Sequence, residues 1–152
     1  MGRLSELRTH VNYELEMIPD PKTRTGAVAH LYGVSLAATM LAKKRGLDPE
    51  LASMAAMLHD LWAYKNGSYE DHAHRGAALA REILEGLTSP EETEAICSAI
   101  YHHDDKLTTD GPLEELLKDA DVIHHCMNDL SKAVKEKERA RWERLEREFG
   151  LA

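Results

Sequence analysis

AAMLHDLW, at residues 55–62, places a histidine and an aspartate, His59 and Asp60, inside an otherwise apolar helical pattern. A carboxylate beside Leu58 and Leu61 is costly to bury unless it has a partner. Nitrogen and carboxylate ligands suit a divalent transition metal, and such an ion would relieve that cost. The doublet alone is weak evidence, because a histidine late in an apolar helix can simply face the negative end of the helix dipole.

The same residue types recur at helix-like intervals on both sides of the doublet. In chain order the candidates are His30, His59-Asp60, His72, His102-His103 and Asp121. His30 alone, in the middle of an apolar helix, would more often be a hydrogen-bonded core histidine than a metal ligand. Asp121 lies between Ala120 and Val122 and raises the same burial problem as Asp60. Taken together, the set predicts a helical bundle that carries a metal in its interior.

The rest of the chain is also predicted to be helical. Apolar residues recur with a helical period nearly throughout, and no segment alternates like a strand. Capping residues and prolines divide the chain into about six or seven helices. We expect an all-α, single-domain bundle over residues 1–152, with helices over 4–17, 22–45, 48–65, from 71, 89–103, from 112, and a charged C-terminal helix over 130–149. The alternating charges of that last segment are typical of a solvated helix, with Trp142 and Leu145 as apolar anchors.

Composition limits the classes of function. The 152 residues are 43% hydrophobic and 30% charged, which is typical of one globular domain. The formal net charge of −8 argues against a general nucleic-acid binder, but a bound metal would still permit an anionic small molecule. Two cysteines and no secretion signal favour the cytoplasm, and no apolar run predicts a membrane span. Spare apolar residues on the first and last helices are compatible with a homodimer.

In order and spacing, these motifs resemble those of the HD-domain superfamily of metal-dependent phosphohydrolases. The resemblance covers about residues 24–125 and is carried by Ala29-His30, AAMLHDLW at 55–62, HAHRGAALA at 72–80, AIYHHDDK at 99–106 and LLKDADVIHH at 116–125. It implies an all-helical fold that hydrolyses phosphoesters with the help of a bound metal.

The resemblance also implies a ligand set. His30, His59, Asp60 and Asp121 match the positions that hold one metal, with Asp119 as a second choice for the last ligand. His72 and the pair His102-His103 resemble the additional ligands of dinuclear branches, in which Asp60 would bridge two ions. If only one histidine of that pair is a ligand, we favour His103. The alternative is that these three histidines bind substrate phosphate or line the pocket. His124 or His125 could support Asp121 from outside the ligand set.

The implied chemistry is attack on a phosphate by a metal-activated water, with one or two divalent ions whose identity (Mn, Fe, Mg, Co, Ni or Zn) is left open. Asp60 and Lys65 are candidate catalytic residues. Arg24, Lys65 and Lys106 are candidates for binding the substrate phosphate, and Arg75 is a further one. Each of these cations is, taken singly, more often a surface residue.

The chain departs from better-known branches of the superfamily. It lacks the Gly-Tyr-Pro tripeptide of cyclic-di-GMP phosphodiesterases after His103, and the length of (p)ppGpp hydrolases and large dNTP triphosphohydrolases. A nucleotide or another small phosphoester is therefore the expected substrate. Two alternatives stay open at this point: an HD-type di-iron oxygenase, and a non-catalytic module that binds a nucleotide.

Overall fold

The computed structural model describes residues 2–151 and confirms an all-helical bundle. Eight helices follow one another within that range: α1 (Arg3–Glu16), α2 (Pro21–Arg45), α3 (Pro49–Leu58), α4 (Leu61–Asn66), α5 (His72–Ile83), α6 (Pro90–His102), α7 (Pro112–Asn128) and α8 (Glu136–Phe149). No strand occurs among the described residues.

Helix starts follow the capping residues in the sequence. The Asp20 side chain accepts a hydrogen bond from the Thr23 N–H at 2.9 Å and caps α2. Asp48 accepts from the Glu50 N–H at 2.8 Å at the start of α3. Ser89 and Glu92 form a reciprocal capping box at α6. These local bonds fix where the long helices begin, which sets the register of the residues that they carry.

The sequence predicts a single helix from residue 48 to residue 65, but the structure interrupts it at His59-Asp60. α3 ends at Leu58, and Asp60 has φ −115° and ψ 6°. The chain then turns into α4, whose Tyr64 N–H donates to the Asp60 carbonyl at 3.2 Å. Adjacent side chains of a continuous helix point about 100° apart. The interruption removes that constraint, so the His59 and Asp60 side chains face the same point.

α3 is the central helix of the bundle. Every residue of α3 from Ala52 to Leu58 is at most 1% exposed. It packs against α2 on one side and against α6 and α7 on others. α2 also approaches α7 closely at Gly33, where a Cβ atom would lie 2.2 Å from the His124 ring. The close approach of α2 and α7 brings His30 on α2 next to Asp121 on α7.

α2 is the helix of the described residues that is long and apolar enough to cross a membrane by length and composition alone. Its most apolar window has a mean hydropathy of 1.3, and half of that window is buried inside the bundle. The buried part of α2 includes His30 and Ser35, together with Leu31, Val34 and Leu41. This pattern is that of a core helix with a polar site on its inner face.

α8 is bound to the bundle by buried charges, which its alternating sequence did not predict. Arg141 is 6% exposed and donates to Asp119 of α7 at 2.9 Å. Asp119 also accepts from Arg144 at 3.0 Å and lies 2.8 Å from the Arg45 guanidinium. Leu145 is fully buried as predicted, and Trp142 packs against the core. Charge as well as apolar contact therefore fixes α8.

Asp119→Ala should lower the free energy of unfolding by about 3 kcal/mol, because it removes the carboxylate shared by three arginines and leaves buried Arg141 with only Glu115 and the Lys106 carbonyl as acceptors. Arg144→Ala is the matched control, since the Arg144 side chain is 51% exposed. Loss of that exposed pair should change stability by at most about 1 kcal/mol. Urea unfolding followed by circular dichroism measures both. Equal midpoints for the two variants would contradict a buried network at α8.

Candidate metal centre

Four of the predicted ligands meet at one point inside the bundle. One ligand atom from each of His30, His59, Asp60 and Asp121 lies within 4.8 Å of the others. His30 Nε2 lies 3.1 Å from His59 Nε2, 3.0 Å from Asp60 Oδ2 and 3.2 Å from Asp121 Oδ1. All four residues are buried. Helices α2 and α7 and the turn between α3 and α4 supply this first group.

A second group shares Asp60 with the first. It comprises Asp60, His72 and His103, all of them buried. His72 Nε2 lies 3.4 Å from Asp60 Oδ1, and His103 Nε2 lies 3.2 Å from the same oxygen. His72 is the first residue of α5, and His103 follows the last residue of α6.

The two oxygens of Asp60 therefore face different groups. Oδ2 faces His30 and His59, at 3.0 and 3.3 Å, whereas Oδ1 faces His72 and His103. A carboxylate with this arrangement has the donor directions needed to bridge two ions.

Three of the histidines are oriented in the same way. The Nδ1 atoms of His59, His72 and His103 each lie within hydrogen-bond distance of the backbone carbonyl three residues earlier. The acceptors are Ala56, Tyr69 and Ile100, at 2.6, 3.0 and 2.6 Å. An Nδ1–H that donates to a carbonyl leaves Nε2 as the atom available to a metal. All three Nε2 atoms point toward Asp60.

The donor set fits a divalent metal. Neighbouring ligands of an ion at about 2.1 Å are separated by about 3.0–3.4 Å in octahedral or tetrahedral geometry. The distances from His30 Nε2 to its three neighbours, and from Asp60 Oδ1 to His72 and His103, fall in that interval. Asp121 Oδ1 is buried and has no hydrogen-bond donor, which is costly unless a cation lies beside it. Imidazole nitrogens combined with carboxylate oxygens suit Zn, Mn, Fe, Co or Ni.

The carboxylates determine the charge of the histidines beside them. Burial alone would lower the pKa of His59, but Asp60 and Asp121 outweigh it and raise that pKa to about 10. The pKa of His30 is raised for the same reason, against its own burial. Burial raises the pKa of Asp60 and Asp121, yet the surrounding cations hold both well below the ordinary value. His103 differs, since burial dominates and lowers its pKa.

Lys106 and His125 hold Asp121 in place. Lys106 Nζ is buried and donates to Asp121 Oδ2 at 2.8 Å and to the His103 carbonyl at 2.8 Å. His125 Nε2 lies 3.4 Å from Asp121 Oδ1, and its Nδ1 lies 2.7 Å from Oε1 of Glu138. The ring of His125 is also stacked on that of His30, with 5.3 Å between centroids. Lys106 was expected to bind substrate phosphate at the pocket rim, but it is buried and already paired with Asp121.

Several sequence-predicted site residues lie away from this point. His102 is half-buried, and its nearest acidic partner is Asp110 at 4.0 Å. Asp119 faces the arginines of α8 and not the metal groups. Lys65 pairs with Glu14 at 3.2 Å on another face of the bundle.

Two candidate phosphate-binding arginines are also engaged elsewhere. The Arg24 guanidinium donates to the Ile18 carbonyl at 2.8 Å. Arg75 lies over the Trp62 ring, 4.9 Å from its centroid. Neither metal group includes any of the four residues Lys65, Arg24, Arg75 and His102.

A cavity of about 370 Å³ opens onto both groups. Its inner part includes His30, Asp60, His72, His103 and Asp121. Tyr64 and Tyr69 line it as well, and residues 128–138 complete it. The position of this last segment and of buried Glu138 at the cavity was not predicted from the sequence, because a charged run ordinarily forms a solvated surface. The cavity volume is that of a small-molecule site, larger than a lone metal needs.

The chain can be assigned to a protein family. The HD-domain family model matches residues 27–126, and the chain belongs to that family. All the residues of the two metal groups lie within the matched part.

Similar proteins agree with this assignment. A Bacillus subtilis (strain 168) protein named "Putative phosphohydrolase YueE" is 31% identical over 113 residues, covering 63% of this chain and 64% of that protein. A ribonuclease Y from Opitutus terrae is 32% identical over 87 residues, covering 57% of this chain and 15% of the ribonuclease. The chain thus spans less than two thirds of either relative.

A solved structure supports the fold. The crystal structure of a "predicted HD superfamily hydrolase" from an uncultured Thermotogales bacterium superposes with a TM-score of 0.68 at 20% identity. The superposition covers 99% of this chain and 89% of the other. The chain is therefore similar in fold to that structure over essentially its whole length.

His103→Ala should lower the metal content from about two ions per chain to about one, because it removes a ligand of the second group only. His102→Ala is the neighbouring control and should leave the content unchanged, since its side chain lies outside both metal groups. Elemental analysis of the purified variants measures both. Equal metal loss in the two variants, or none in either, would contradict the second group.

Metal binding should release protons and strengthen as pH rises. His59, with a pKa of about 10, is protonated at pH 7 in protein freed of metal by a chelator. An ion that binds Nε2 must displace that proton, so affinity falls as pH drops. Calorimetry at pH 7 in buffers of different ionisation enthalpy should show release of about one proton or more per chain. Heats that do not depend on the buffer would exclude a protonated His59.

Proposed function

We propose that the protein is a metal-dependent phosphohydrolase that acts on a nucleotide or another small phosphoester. The observation that carries the proposal is the position of Asp60, whose two oxygens face two separate groups of histidines. This arrangement suits a pair of ions that share one carboxylate, as in many enzymes that cleave phosphate esters. Membership of the HD family and similarity to a protein named as a phosphohydrolase support the same class.

The residues of the site have separable tasks in this proposal. His30, His59, Asp60 and Asp121 would hold one ion, and Asp60, His72 and His103 a second. When bound, the ions supply Lewis-acid stabilisation of phosphate oxygens and lower the pKa of water. Lys106 keeps the Asp121 carboxylate ionised and in position. The backbone carbonyls of residues 56, 69 and 100 hold the imidazole rings in the orientation that directs Nε2 inward.

The charge of the cavity indicates an anionic substrate once metal is present. Five carboxylates and four lysines line it, which leaves one excess negative charge with neutral histidines. A single divalent ion reverses that sign, and a second makes the cavity strongly positive. Tyr64 and Tyr69 line the same cavity, and Tyr69 is 59% exposed. This aromatic surface suits a nucleobase and favours a nucleotide over a smaller phosphoester.

Asp60→Asn, which keeps the shape of the side chain, should lose most bound metal and lower phosphate release at least about 100-fold. The loss follows because an amide cannot bridge two cations as a carboxylate does. Asp105→Ala is the control, since that carboxylate is exposed and bonds only to Thr108. Metal content and phosphate release on a panel of nucleotides and phosphomonoesters are measured together. A metal-free Asp60→Asn variant with full activity would overturn the proposal.

A di-iron oxygenase is the second candidate, favoured by the number of imidazoles around the shared carboxylate. Imidazole and carboxylate ligands suit iron as well as they suit manganese. The metal found in the purified protein separates the two chemistries. Iron with oxygen consumption and no phosphate release supports the oxygenase, whereas phosphate release with manganese or magnesium supports the hydrolase. Nucleotide binding without either activity supports a non-catalytic module.

We also propose a cytoplasmic location, as expected from the two cysteines. Cys97 is buried and Cys126 is half-buried, and both are free thiols. Free thiols of this kind are usual in a reducing compartment.

A further inference from the structure

The outer wall of the cavity comes from the part of the chain that follows the family match. The match ends at residue 126, and the segment 128–138 lines the same cavity as the metal groups. We call this segment the lysine wall, because Lys132, Lys135 and Lys137 all line the cavity. Three lysines within six residues stand out in a chain whose formal net charge is −8.

The lysine wall is held in place at both ends. It begins at the C-terminus of α7, the helix that carries Asp121. At its other end, buried Glu138 pairs with His125 at 2.7 Å. One turn later, Arg141 donates to the Lys106 carbonyl at 3.0 Å. The segment between these anchors is therefore a fixed part of the cavity.

The charges of the lysine wall are available, unlike that of Lys106. Lys106 is buried and already pairs with Asp121. Lys132 is exposed and approaches Asp129 only to 3.8 Å, and Lys137 approaches Asp104 only to 3.5 Å. Among the residues that the structure describes, Lys135 has no ion-pair partner. Long, exposed pairs of this kind contribute little stability and are readily exchanged for a stronger anion.

The geometry points to a second anion-binding subsite: we propose that the lysine wall binds a second phosphate of the substrate, while the first lies at the metal centre. This inference rests on the proposed function and sharpens its substrate class. The substrate would be a phosphoanhydride or a bisphosphate, in preference to a simple monoester. Two observations support two anionic groups: the metal ligands and the lysines line one cavity, and its volume of about 370 Å³ accepts a whole small molecule.

The test compares two probes that differ by one phosphate. They are the methylene analogues of AMP and ADP, which cannot be hydrolysed, titrated calorimetrically into the metal-loaded protein. The variant is the triple replacement K132Q/K135Q/K137Q, and the triple Lys→Arg replacement at the same positions retains the charge. Lys43→Gln is the matched control, because Lys43 is exposed on α2 and does not line the cavity. Metal content is measured in every variant.

Wild type should bind the ADP analogue at least about fivefold more tightly than the AMP analogue, since each exposed charge pair contributes a modest amount. The triple glutamine variant should lose that preference while its affinity for the AMP analogue and its metal content stay unchanged. The arginine variant and Lys43→Gln should keep the preference.

An unchanged preference in the glutamine variant would overturn the inference, and so would wild type without a preference for the ADP analogue. Equal weakening of both analogues would also overturn it, because the lysines would then act on the common part of the ligand. The readout is binding alone. A wild type that binds as expected but releases no phosphate would contradict the proposed hydrolysis and leave the subsite in place.

Discussion

Burial of the Asp60 carboxylate is the constraint on which the rest of the structure depends. The residue is 6% exposed, and an ionised carboxylate at that depth costs several kcal/mol unless cations or donors surround it. Its surroundings come from four parts of the chain: His30 on α2, His59 in the turn, His72 on α5 and His103 after α6. None of these helices can move away without leaving that charge uncompensated. The contacts that hold these helices together therefore also set the geometry of the site.

Four of the six candidate ligands, His59, Asp60, His72 and His103, lie at helix ends, and for the histidines that follow a helix there is a physical reason. Inside a helix, each carbonyl accepts from the N–H four residues later, so it is engaged when a side chain approaches. At a helix end the last carbonyls lack that partner. Ala56 and Ile100 occupy such positions, and their carbonyls face the rings of His59 and His103, with the Ile100 carbonyl also accepting from the His103 N–H. The interruption between α3 and α4 thus satisfies two needs at once: it frees the Ala56 carbonyl and turns Asp60 toward its partners.

Local sequence patterns were sufficient to predict most of the helices and part of the site. Capping residues and helical periodicity predicted most helices and their starts, since those depend on neighbours within one turn. The last helix was expected from residue 130 but begins at Glu136. Burial cost pointed to Asp60 and Asp121 as residues that need partners. The turn inside the predicted helix 48–65 could not be foreseen, because no glycine or proline marks it. The turn instead depends on contacts of His59 and Asp60 with ligand residues that are distant in the sequence.

The direction of side chains at helix ends also could not be predicted from sequence spacing. His102 and His103 are adjacent, and only the fold shows that the second faces Asp60 while the first faces solvent. Lys65 and Arg24 were expected at the pocket from their distance along the chain to a ligand, but each meets a nearer partner. No sequence pattern predicted that Glu138 and the lysine wall line the cavity, because their surroundings come from α7 and not from their own segment.

α7 connects the metal centre to the lysine wall. Asp119 and Asp121 are two residues apart, so their side chains leave the helix in nearly opposite directions. Asp121 faces the metal ligands, and Asp119 faces the arginines of α8. The positions of α8 and of the C-terminal end of the lysine wall are therefore set relative to Asp121 through a single helix. A substrate that spans the cavity would meet two sets of charges at a fixed separation. The metal ligands lie within the family match and the lysine wall follows it, so the two sets of charges belong to different parts of the chain.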